Sequence, residues 1–71
     1  MTNQDLVQNA KEFTQEMIDM NINAGVNVKD SKWIYSLLQN FDINFPNLST
    51  QEMDKIYYQG IRPVLVKNNI L

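Results

Sequence analysis

Seventy-one residues with six basic and eight acidic side chains, no cysteine and no histidine, leave few routes to chemistry. Disulfides are excluded, and with them the usual general base near neutral pH and the usual ligands of zinc. The length supports one domain, residues 1–71, whose small core supplies only about 3–5 kcal/mol unless a partner adds to it.

The charge is unevenly placed. Residues 1–31 carry two lysines against five carboxylates, a net of −3, whereas residues 32–71 carry a net of +1. Ten asparagines accompany abundant Ile and Lys, a bias that fits a low-GC genome, bacterial or phage. No stretch approaches the roughly 20 apolar residues of a membrane span, so the expected location is the cytoplasm.

The first helix is expected from Asn3 to Ile22, capped by Thr2 or Asn3, with Asp5 facing the positive end of the helix dipole. Leu6, Ala10, Phe13, Met17 and Met20 are spaced four, three, four and three apart, a heptad seam that Val7, Thr14 and Ile18 widen into a core-facing stripe. Beside it Glu12, Glu16 and Asp19 form an acidic flank whose like charges mildly oppose the helix. Asn21 to Gly25 should end it, since Asn and Gly tolerate left-handed geometry.

A loop, Gly25 to Lys29, leads to helix two, capped by Asp30 or Ser31 and running to Phe41. Trp33, Ile34, Leu37, Leu38 and Phe41 make its apolar face. The connection Asp42 to Leu48 should fold back and bury Ile43 and Phe45, and Pro46 biases Phe45 away from helical geometry. Ser49 and Glu52 then form an S-x-x-E capping box, with Leu48 and Met53 as a hydrophobic staple.

Helix three places Met53, Ile56, Tyr57, Ile61, Val64 and Leu65 on one face. Pro63 cannot donate to the carbonyl of Gln59 and clashes with it, so a kink or split is expected between Gly60 and Pro63, with a short fourth helix or bent continuation from Val64 to Lys67. The fold class is therefore all-α, a small three-helix or 3+1 bundle. Its expected core is Phe13, Met17, Ile34, Leu37, Leu38, Phe41, Ile56 and Leu65.

Catalysis is disfavoured. The carboxylates line one helix flank instead of facing across a cleft, and Ser31, Ser49 and Thr50 sit where helix caps belong and have no imidazole partner. The run Asn21, Asn23, Gly25, Asn27 and Asp30 lacks the leading acid and closing Glu of a calcium loop. No cofactor or metal is expected.

Two binding readings remain. A helix-turn-helix regulator could use residues 31–60, with Thr50 and Gln51 starting the recognition helix. Against it stand a connection of about seven or eight residues where the motif has about three or four, and few basic residues to neutralise phosphate. The reading preferred is a non-enzymatic protein-interaction module, a small accessory, adaptor or inhibitor protein. Trp33, Tyr58 and Arg62 are residue types that dominate binding hot spots, and Glu12, Glu16 and Asp19 could steer a basic partner. Met17, Met20 and Ile22, with Val26 and Val28 beyond them, should leave an apolar strip near the end of helix one. Met20 is its centre, and the partner is another protein or a second copy in a weak homodimer.

Overall fold

The computed structural model describes residues 3–71, with side chains from Asp5 onward. Helix α1 (Asn3–Asn23) is the spine. Of its two expected caps, Thr2 lies outside the described residues and Asn3 is already helical. The helix ends as its sequence demands: Gly25 adopts φ +80°, the Val26 amide donates to the carbonyl of Asn21 and the Gly25 amide to that of Ile22. This Schellman arrangement satisfies carbonyls that the helix end would otherwise leave open.

Helix α2 (Ser31–Asn44) starts at Asp30, whose carboxylate accepts from the Lys32 amide at 2.8 Å. It runs back along α1 and buries Trp33, Leu37 and Phe41. The three phenylalanines meet at its far end. Phe13 sits edge-on to Phe41 and Phe45, and the latter two stack with ring centroids 4.4 Å apart.

One expectation for the connection fails. Helix α2 continues to Asn44, so Ile43 stands on its solvent side and is 75% exposed. Phe41 and Phe45 face inward, and a residue midway between them on a helix points nearly opposite. Only Phe45 is buried as anticipated, and then only in part. The connection shrinks to Phe45–Ser49, with Asn47 at φ 67°.

Helix α3 (Thr50–Ile56) carries the full capping box: the Ser49 hydroxyl accepts from the Glu52 amide, and the Ser49 amide donates to the Glu52 carboxylate, both at 3.1 Å. Leu48 and Met53 are half-buried against the core. Beyond α3 the chain makes a π turn, Tyr57–Ile61, and then α4 (Arg62–Lys67). The π turn is the form the expected kink takes. The Arg62 amide bonds to the carbonyl of Tyr57, five residues back, and the extra residue lets Pro63 re-enter as the first turn of a new helix, where its missing N–H leaves nothing unsatisfied.

Gly60 has a second role in that turn. It is buried against α1, where a Cβ would lie 2.9 Å from the Ala10 Cβ and 3.2 Å from the Val7 carbonyl oxygen. Eight residues later Asn68 exchanges amide hydrogen bonds with Gln15, at 3.0 and 3.4 Å. The segment α3 to α4 thus runs in the same direction as α1, and α1 alone brings its backbone close to both other helical segments.

The core joins all segments: Leu6, Ala10, Ile18, Leu37, Phe41, Ile56, Ile61 and Leu65 are among its buried members. Phe13, Met17, Ile34 and Leu38, expected at its centre, pack partly buried around it. On α1 the deepest line is Leu6, Ala10, Thr14 and Ile18, spaced by four, which is the ridge that fits between two neighbours at once. Thr14 is fully buried with its hydroxyl donating to the Ala10 carbonyl at 2.7 Å, so its burial leaves no polar atom unpaired. Val28, expected to be part of an open strip, is buried instead, and Ile70 joins the core through the reversal at Asn69, φ 61°.

Candidate interaction surface

The residues singled out in the sequence fall on separate surfaces. Glu12, Glu16, Asp19 and Met20 are exposed along α1. Tyr58 and Arg62 are exposed on the outer side of the third segment, at the level of Gly60 and hence of Val7 and Ala10. Ten residues of helix separate Ala10 from Met20, about 15 Å along the axis. Trp33 belongs to the core at 9% exposure, and its remaining edge borders a shallow depression shared with Val26, Asp30 and Lys32.

The end of α1 is where apolar surface collects. Met20, Ile22 and Val26 are 64%, 55% and 41% exposed. Met20 and Ile22 point about 200° apart around the helix, so they form a collar about its end and not the single strip expected. On the Ile22 side the cause is where α4 stops. Asn68 pairs with Gln15, and Asn69 turns the chain away there, leaving the last turns of α1 uncovered on that side. Met17, one turn earlier, is already half-buried against the core.

The acidic flank beside the collar is held in place by neighbouring amides. Gln8 donates to the Glu12 carboxylate at 3.3 Å and Gln15 to that of Asp19 at 3.0 Å. Among the described residues no three acidic side chains gather closely enough to hold a metal ion, and no helix is long and apolar enough to cross a membrane.

Two further openings lie along the helix seams. On the α1 and α4 side, Lys11, Lys55 and Lys67 border two adjoining depressions together with Gln8 and Gln59, but Glu12 sits among them. On the other side, α2 and α3 both lean on α1 without bringing their backbones together. A trough of about 300 Å³ is left between them, bordered by Tyr35, Leu38, Asp42, Met53, Asp54 and Tyr57. Sequence reasoning missed this trough, although Tyr35, Leu38, Gln39 and Asp42 follow i, i+3, i+4, i+7 and mark a second face of α2.

No protein-family model, curated protein or solved structure matches this chain significantly.

Proposed function

We propose that this chain is a non-enzymatic protein-interaction module of the cytoplasm, with its contact built on the collar at the end of α1. The exposure of Met20, Ile22 and Val26 beside Glu16 and Asp19 carries the reading: a cluster of exposed apolar side chains with a charged rim is the usual mark of a protein partner site. The acidic rim suits a partner, or a second copy, that presents basic groups around an apolar centre.

A helix-turn-helix regulator built on residues 31–60 is the competing proposal, and the five-residue connection brings it nearer to that motif. Its basic residues argue the other way. Lys11, Lys55 and Lys67 border the α1 and α4 seam with Glu12 among them, a seam that neither Thr50 nor Gln51 lines, while Lys32 opens beside Trp33 and Asp30 and Arg62 lines none of these depressions. Phosphate binding requires cations gathered on one face.

The test is site-specific crosslinking in the native cell. Benzoylphenylalanine in place of Met20 should capture a discrete protein, and the same probe in place of the exposed Asn40 on α2 should not. Equal capture at both positions, or capture of nucleic acid at Thr50 or Gln51 with none at position 20, would overturn the reading.

A further inference from the structure

The trough between α2 and α3 has a chemistry distinct from that of the collar. Its walls are the exposed Tyr35 and the half-buried Leu38, Met53 and Tyr57, and Ile61, 1% exposed, forms part of its floor. Asp42 stands on one lip and Asp54 on the other, both exposed, and no lysine or arginine borders the trough. It exists because the bulky core layer of Leu37, Phe41, Ile56 and Ile61 lies between two helices that each pack on α1.

We infer that this trough is a second docking surface, for a helical segment of another protein that seats one large apolar side chain between Tyr35 and Tyr57, with a lysine or arginine on either side meeting Asp42 and Asp54. The inference rests on the interaction-module reading but not on the collar. Its volume is at the small end of ligand pockets, which run from roughly 300 to 1,000 Å³, and so suits a side-chain anchor. An amphipathic helix laid in a groove is a common way for such a trough to be filled. Two carboxylates on a trough that no lysine or arginine lines select for the sign of the partner's flanking charge and disfavour acidic segments. Aromatic walls give the anchor area at small entropic loss, because a tyrosine fixes only two side-chain torsions.

A random peptide library displayed on phage, selected against the full chain, tests this. The enriched peptides should carry Leu, Met or an aromatic anchor between basic residues, and should shift the amide resonances of Leu38, Met53 and Tyr57. The Asp42→Lys, Asp54→Lys double variant should weaken binding about tenfold or more, equivalent to about 1.4 kcal/mol, and raised salt should weaken wild-type binding in the same direction. Should the double variant fail to fold, Tyr35→Glu, at a side chain 64% exposed, serves in its place. Peptides with neutral or acidic flanks, or no enrichment, would overturn the inference. Shifts confined to Met20, Ile22 and Val26 would also overturn it while leaving the collar reading standing. Self-association that disappears in the double variant would assign the trough to a second copy and refute a heterologous partner.

Discussion

Replacing Gly60 by alanine adds one methyl group at a close contact between α1 and the third segment. That carbon would stand 2.9 Å from the Ala10 Cβ and 3.2 Å from the Val7 carbonyl oxygen. Neither neighbour is the loose end of a flexible side chain, so the two helical segments must separate. Gly60 is helical in sense, so alanine also gains up to about 1 kcal/mol of conformational preference, which opposes the strain. Overpacking a closed contact costs about 1–3 kcal/mol, and further separation would loosen Ile61 and Leu65, 1% and 0% exposed on the same segment. The expected net loss is about 1–2 kcal/mol, a fall in melting temperature of at least about 4–8 °C for a domain of this size.

Thermal unfolding followed by circular dichroism gives the shift. The decisive comparison is a double-mutant cycle with Ala10→Gly, which removes the nearest clashing atom. Ala10→Gly alone should destabilise, by about 1 kcal/mol from helix preference. Combined with Gly60→Ala it should cost less than the sum of the two single losses, with a coupling of about 0.5 kcal/mol or more. A Gly60→Ala protein as stable as the wild type, or strict additivity in the cycle, would refute the close approach and with it the parallel packing of α1 and α4.

Leu37→Ala removes a side chain 1% exposed at the centre of α2 and should cost about 2–5 kcal/mol in denaturant melts, enough to unfold much of the population. Ser49→Ala removes the hydroxyl of the capping box and should lower stability by about 0.5–2 kcal/mol. The Ser49 amide, and after it the Ser49 hydroxyl, hold the Glu52 carboxyl below the usual carboxylate range. A carboxylate depressed in the folded state stabilises above its unfolded pKa and loses that contribution as pH falls through its folded one. The stability gap between wild type and Glu52→Gln, measured by melts across pH, should therefore be full near neutrality and close toward the acid end. Met20→Asp should leave the melting temperature nearly unchanged, because the side chain is 64% exposed, while abolishing any association detected by sedimentation equilibrium.

Helix positions were legible because the local signals agreed with the packing: the Asp30 cap, the Ser49 capping box and the Gly25 terminator all act where the sequence places them. What was not legible depends on neighbours. Heptad spacing on α1 puts Phe13 and Met17 at the centre of its stripe, yet a helix lying between two partners buries its four-spaced ridge, so Thr14 and Ile18, read only as the widening of that stripe, lie deepest and Phe13 and Met17 are partly buried. The asparagines show the same limit from the other direction. Read as composition they say nothing of their places in the fold. In the fold Asn21, Asn44 and Asn68 each donate to the carbonyl four residues back at a helix end, Asn27 accepts from the Lys29 amide, and Asn47 and Asn69 take left-handed backbone. Each is a local act that needs the helix end fixed before it can be recognised.

The collar and the trough follow from one mismatch of lengths. With 21 residues α1 spans about 31 Å, close to the 34 Å long axis of the molecule, whereas α2 with 14 residues spans about 21 Å. The third segment reaches only the level of Gln15, because Asn68 and Asn69 stop α4 there. Two short segments on one long helix cannot cover its end. Nor can they close on each other while both are held to α1, the one through Phe13 and the other through Gly60. The exposed apolar surface therefore arises from where the stop signals fall, and not from an excess of apolar residues. One more turn of α4 would extend it along α1 toward Ile22, two turns beyond Gln15 on the same face, and shield the collar on that side without touching the trough, so the two surfaces can be altered independently.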